Sequence, residues 1–165
     1  MSHIRLAIHD TKRIPAARGF YDVMENSLNF VIKARGKFYS YVQGEDYSID
    51  LDKKGNVLGV ELYLERDAWV VIPELLLDND HEIKRIRILE HRLDVEPVGI
   101  YTNEAKDICC IRFTDEKVSY KYMVAQNLLF EVNVVDELSA VWLLNLEEDF
   151  GFKKEMKYRK GKKAT

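Results

Sequence analysis

The sequence of 165 residues is poor in the residues that cross-link or break a chain, with only 2 cysteines, 3 prolines and 8 glycines. The cysteines, Cys109 and Cys110, are neighbours. Adjacent residues on a strand point to opposite faces, so a disulfide between these two would be strained. We therefore expect two reduced thiols, which are typical of a cytoplasmic protein.

Long apolar runs are also missing. No stretch approaches the roughly 20 apolar residues that a helix needs to cross a bilayer. Residues 1–10 carry Arg5 and lack the apolar segment of a secretory signal. The sequence therefore predicts a cytoplasmic location and no membrane partner.

An excess of charge of one sign is absent as well, since 25 basic residues oppose 28 acidic ones and give a net charge of -3. A chain with this balance has no overall field that attracts nucleic acid. The one basic segment, 153–165, is expected to be a C-terminal tail. A nucleic-acid partner is therefore not expected.

Alternating apolar and polar residues are the clearest positive signal, and residues 47–64 show them best. Apolar side chains occupy every second position of 47–51 and again of 58–64, which is the period of a half-buried strand. Between these runs, Asp52 can accept backbone hydrogen bonds, and Gly55 supplies the positive φ that closes a turn. We predict a β-hairpin.

The pattern of the first part of the chain recurs in the second part after a shift of about 80 residues. Residues 86–91 then match residues 4–9, and residues 132–143 match the hairpin. Leu138 replaces the turn glycine, so the second turn must close differently. The order of the matching segments is preserved, which favours an internal duplication over chance similarity between short strands.

These patterns predict a mainly β fold, or an α+β fold with little helix. We expect two tandem antiparallel β repeats forming one pseudo-twofold domain: a first repeat at 1–80, a second, degenerate repeat at 81–152, and a basic C-terminal tail at 153–165. Antiparallel hairpins need only short loops, which agrees with the lack of long helical patterns. Whether the repeats pack face to face or share one sheet stays open.

Two motifs resemble a family of short bacterial β domains of unknown function. Members pair an early Tyr-Asp-x5-Leu-Tyr-Ile strand with a later Asp-x-Asp-x-x-Gly-x-Val-x-Gly-Ile-Glu-Ile-Leu hairpin. Residues 50–62 match the hairpin, and the stretch from Tyr21 to Phe30 matches the strand, with Asn29 where an aromatic residue is usual. The duplicated arrangement is similar to uncharacterised proteins of bacilli. The resemblance implies a bacterial protein of this fold and no particular activity.

Few residues are arranged for chemistry. Asp50, Asp52 and Glu61 have the spacing of a calcium loop, but Lys54 occupies a ligand position and the flanking residues predict strands instead of helices. The two cysteines have no neighbouring base or helix N-terminus that would activate a thiol. We therefore predict no catalytic residue, no cofactor and no metal site.

The leading functional hypothesis is a non-catalytic interaction or structural module. The most apolar run, residues 68–77, predicts either the core between the repeats or a self-association surface. In the second case Trp69, Val71, Leu75 and Leu76 form the interaction surface. The expected partners are then a second copy of the chain, giving a homodimer, or an unknown protein.

The alternative hypothesis is a small-ligand-binding module with a cleft between the two repeats. Tyrosines on corresponding strands would line that cleft: Tyr39, Tyr41, Tyr120 and Tyr122. Pockets favour aromatic walls, although ordinary strand packing also accounts for tyrosines at these positions. An enzyme that uses scattered carboxylates or histidines is the third hypothesis.

Overall fold

A computed structural model describes residues 4–34, 36–75, 77, 81–116 and 120–149. It has fifteen strands and one short 3-10 helix at Arg66–Ala68, and the described residues include no α-helix. The strands are β1 (Leu6–Asp10), β2 (Ala17–Asp22), β3 (Ser27–Ile32), β4 (Ser40–Gln43), β5 (Tyr47–Leu51), β6 (Val57–Leu62), β7 (Val70–Val71), β8 (Glu82–Ile88), β9 (Leu93–Asp94), β10 (Gly99–Thr102), β11 (Cys109–Arg112), β12 (Tyr120–Ala125), β13 (Leu128–Val132), β14 (Leu138–Leu143) and β15 (Glu147–Asp149). The prediction of a mainly β fold is confirmed.

The strands form two sheets. One has eight strands in the order β1-β8-β12-β13-β14-β11-β10-β7, and the other has seven in the order β15-β2-β3-β6-β5-β4-β9. Most neighbours are antiparallel, as expected, but β7 with β10, β8 with β12, β15 with β2 and β9 with β4 are parallel. Both sheets are therefore mixed. The parallel pairs join strands that are distant in sequence, where no hairpin dictates the direction.

The central strands of the two sheets follow the same order. In the seven-stranded sheet this order is β2-β3-β6-β5-β4, and in the eight-stranded sheet it is β10-β11-β14-β13-β12. We call residues 1–80 the first half and residues 81–152 the second half. Each sheet takes edge strands from the other half, because β15 lies beside β2 while β7 lies beside β10. The two halves are therefore interlocked.

One apolar core lies between the sheets. Phe30 of β3 and Phe130 of β13 belong to the same buried cluster and are 1% and 0% exposed. The ring of Tyr47 on β5 meets the ring of Phe113, which directly follows β11 of the other sheet, with centroids 5.5 Å apart. Buried residues alternate with more exposed ones along β3 and β4, whereas β13 and β14 are buried throughout. The two sheets pack face to face around this core as a sandwich.

The predicted hairpin is formed by β5 and β6, and its turn docks on β8. The Asp52 carboxylate accepts hydrogen bonds from the backbone N–H groups of Lys54 and Asn56, each at 2.9 Å. Gly55 has φ of 89° and its carbonyl accepts a hydrogen bond from the Ile88 N–H at 2.8 Å. The turn residues thus have the roles that the sequence predicted, and they also connect the two halves.

The described residues include no helix that is long and apolar enough to span a bilayer.

Candidate ligand-binding site

A cavity of about 310 Å³ lies between the two halves, and we call it the inter-half cavity. Its apolar floor is formed by Ile32, Val57, Ile86 and Leu128. The first two belong to the seven-stranded sheet and the last two to the eight-stranded sheet. Its rim carries four cationic side chains: Arg13, Lys33, Lys84 and Arg85.

The cavity exists because β8 separates from its neighbour. β8 pairs with β12 at Glu82 and Ile83, and the hairpin turn hydrogen-bonds to its backbone at Ile88. Between these points no strand among the described residues pairs with β8 on this side, while β1 pairs with it on the other side. Lys84, Arg85 and Ile86 lie in that stretch and line the cavity.

The rim of the inter-half cavity is electropositive. Within the described ranges, no carboxylate lies within 4.0 Å of the side-chain nitrogens of Arg13, Lys33 or Arg85. Lys84 is paired with Asp10 at 2.5 Å and with Glu82 at 3.2 Å. Its hydrogen bonds to these carboxylates raise the pKa of Lys84, so this side chain is cationic at neutral pH.

Asp52 is the one carboxylate among the described residues that line this cavity. Burial by itself raises the pKa of Asp52, but hydrogen bonds from Asn56, Lys54 and Gly55 outweigh it, so the net pKa is lowered. The carboxylate is therefore ionised and already hydrogen-bonded within its own turn. It closes the turn and leaves most of the rim cations without a counter-charge.

A second basic depression, which we call the β8 groove, adjoins the cavity. It is lined by His9, Asp10, Lys54, Arg85 and Arg87. Arg85 lines both the groove and the cavity. The Arg87 Nη2 atom lies 3.0 Å from the His9 Nε2 atom, so the imidazole orients the guanidinium. The two depressions therefore form one continuous basic region along β8.

The described residues of the expected interaction surface, Trp69, Val71 and Leu75, do not lie together. Trp69 is 3% exposed, its ring meets Tyr21 edge-on at 5.9 Å, and its Nε1–H donates to the Leu64 carbonyl at 3.0 Å. Trp69 is thus a core residue, which corrects its placement on a surface. Val71 is 43% exposed on the edge strand β7.

Two further residues of the 68–77 run, Leu75 and Leu77, pack on the outer face of the eight-stranded sheet. Leu75 packs against a small buried cluster there that includes Cys110, Leu129 and Trp142. Leu76 lies outside the described residues. The run therefore divides between the core, an edge strand and the outer face of one sheet, because the chain crosses from one layer to the other at β7.

The four tyrosines of the expected cleft are divided between the sheets. Tyr39 precedes β4 and meets His91 edge-on, with ring centroids 6.1 Å apart, and Tyr41 lies on β4. Tyr120 and Tyr122 lie on β12, where their rings stack at 6.3 Å. None of the four lines the inter-half cavity, whose walls are aliphatic and basic instead.

The rim cations were missed by sequence reasoning. One signal was present, because Lys84, Arg85 and Arg87 are interleaved with isoleucines between Ile83 and Ile88. Arg13 and Lys33 gave no signal, since they lie next to loops that only the fold brings beside β8.

The cysteines are not arranged as nucleophiles. Cys109 is 0% and Cys110 is 1% exposed. Burial raises the pKa of the Cys110 thiol to about 12 and raises the pKa of Cys109 well above its usual value. Both are therefore protonated at neutral pH, and a protonated thiol is a poor nucleophile.

Comparison of the chain with protein-family models and with curated proteins found no match. The geometry and the charges of the inter-half cavity are therefore the basis for assigning a function.

Proposed function

We propose that this protein is a non-catalytic binding module that holds a small anionic molecule in the inter-half cavity. The observation that carries the proposal is the combination of an apolar floor with the rim cations Arg13, Lys33 and Arg85, which have no carboxylate partner among the described residues. Ligand pockets are typically apolar with a few convergent polar groups. Arginine and lysine in a partly enclosed site attract an anion more strongly than they do in open water.

The lining also specifies the shape of the ligand. Side chains of Ile32, Val57 and Ile86 offer no hydrogen bonds, so they favour an apolar body. The guanidinium of Arg85 and the ammonium of Lys33 favour an anionic group at the mouth. A volume of about 310 Å³ is at the small end of ligand pockets. The ligand is therefore a compact anion with an apolar part.

The fluorescent probe 1-anilinonaphthalene-8-sulfonate has this chemistry and provides the test. We expect saturable binding to the folded protein at one site. The double variant Arg13→Gln/Lys33→Gln should lower the affinity for the probe about tenfold, which corresponds to about 1.4 kcal/mol of binding free energy. Fluorescence titration measures both affinities.

The control is Lys106→Gln, which removes one positive charge from a residue outside the cavity and the β8 groove. It should leave the affinity unchanged. Thermal melting of each variant checks that the fold is retained. Probe binding that does not saturate, or that has the same affinity in the double variant as in the unchanged protein, contradicts the proposal.

We propose a second role, protein interaction, for the edge strand β7. Val70 and Val71 are 53% and 43% exposed at the end of the eight-stranded sheet. A free strand edge can pair with another strand through its backbone. The occupant that we propose is β7 of a second copy, which gives a homodimer.

We propose in addition a bacterial, cytoplasmic protein whose halves, 1–80 and 81–152, arose by duplication. The resemblance of the hairpin to the bacterial β-domain family supports the origin. The free, buried Cys109 and Cys110 support a reducing compartment. The equal order of the central strands in the two sheets supports the duplication.

A further inference from the structure

We propose that the ligand carries a chain of two or more linked phosphate groups, and that this chain lies in the β8 groove. The inference rests on the proposed function, since it assigns the anionic part of the same ligand. Its starting point is Arg85, which lines both the cavity and the groove. An anionic group bound by Arg85 at the cavity mouth therefore has further cations beside it.

Two cations of the groove follow one strand. Arg85 and Arg87 are two residues apart on β8, which places their backbones about 7 Å apart along the strand. Lys54 adds a third charge from the hairpin turn. A single phosphate would contact only part of this set of cations, whereas an extended anion can contact all three of them.

The groove favours phosphate over a carboxylate chain. A guanidinium presents a planar set of donors that matches phosphate oxygens, and each phosphate carries more charge than a carboxylate. His9 holds the Arg87 side chain from one side, with 3.0 Å between Nε2 and Nη2. This contact with His9 orients the Arg87 guanidinium, and its remaining N–H groups are left to donate to phosphate oxygens.

The acidic residue of the groove does not neutralise these cations. The Asp10 carboxylate is paired with the Lys84 ammonium at 2.5 Å. Among the described residues, no carboxylate is within 4.0 Å of the side-chain nitrogens of Lys54, Arg85 or Arg87. Three cations of the groove are therefore available to an anion.

Calorimetric titration with inorganic phosphate, pyrophosphate and tripolyphosphate, in metal-free buffer, tests the inference. We expect the affinity to rise with each added phosphate, and tripolyphosphate to bind at least tenfold more tightly than inorganic phosphate. The double variant Lys54→Gln/Arg87→Gln should lose about tenfold in tripolyphosphate affinity. The same variant should bind the anilinonaphthalene probe as the unchanged protein does, because neither residue lines the cavity.

The control is again Lys106→Gln, which should leave tripolyphosphate binding unchanged. Equal affinity for the three phosphates, or a double variant that binds tripolyphosphate normally, overturns the inference. Tighter binding of citrate or of a single-stranded oligonucleotide than of tripolyphosphate also overturns it.

The two proposals can fail separately. One outcome is that the probe binds the cavity while the unchanged protein and the double variant bind the phosphates equally well. In that case the assignment of a phosphate chain is wrong and the cavity function stands. If the probe does not bind but tripolyphosphate binds through Lys54 and Arg87, the groove is an anion site and the cavity function is wrong.

Discussion

Glu131 is the most deeply buried carboxylate with an arginine partner in the described part of the chain, at 5% exposure. Its oxygens accept hydrogen bonds from the Arg112 guanidinium at 3.2 and 3.0 Å and from the Trp142 Nε1–H at 3.1 Å. Burial alone raises the pKa of Glu131, but the hydrogen bonds from Arg112 and Trp142 lower it below the usual value. The folded state therefore favours the ionised carboxylate.

A pH dependence follows at this residue. A carboxyl whose pKa is lower in the folded state stabilises the fold fully above its unfolded pKa, and this contribution is lost as the pH falls through the folded value. Glu131→Gln should reduce the free energy of unfolding by about 3 kcal/mol at pH 7, because Arg112 loses its buried partner. Urea unfolding should show that this difference shrinks at pH 3.

Glu90→Gln is the control, since Glu90 pairs with the exposed Arg5. Exposed pairs contribute little, so this variant should cost less than about 1 kcal/mol. A difference for Glu131→Gln that is the same at pH 7 and pH 3 would show that the carboxylate is not stabilised as described.

At the scale of an element, the β5–β6 hairpin positions one wall of the inter-half cavity through its turn. A Cβ atom on Gly55 would lie 2.2 Å from the Ile88 carbonyl oxygen, and the φ of 89° is unfavourable for any other residue. Gly55→Ala should therefore destabilise the protein by about 2 to 3 kcal/mol. Lys53→Ala, at an exposed position of the same turn, should cost little. Equal melting temperatures for the two variants would contradict the docked turn.

At the scale of the whole molecule, the exchange of edge strands interlocks the halves and leaves β7 at the end of one sheet. If β7 pairs with its copy, light scattering should give twice the chain mass at micromolar concentration. Val70→Lys should give a monomer, because a charge on the edge opposes pairing. Val134→Lys, at a residue that is 65% exposed outside the strands, should stay dimeric. A monomeric unchanged protein contradicts the pairing.

The sequence by itself determined the mainly β class and the hairpin turn. Alternation and turn chemistry act between neighbours in the chain, so Asp52 and Gly55 could be assigned their roles before the fold was known. The apolar character of residues 68–77 is equally visible in the sequence. It does not determine which of these residues pack between the sheets and which lie on an edge strand or an outer face. Trp69 is buried because the chain crosses between sheets at that point.

Only the tertiary structure decided where the candidate site lies. Arg13, Lys33 and Arg85 are far apart in sequence, and they meet because strands of both halves converge at the gap beside β8. Pairing between distant strands depends on the packing of the whole core, which no local pattern encodes. The tyrosines carry only a local signal, and the same packing places them in separate sheets, away from the cavity.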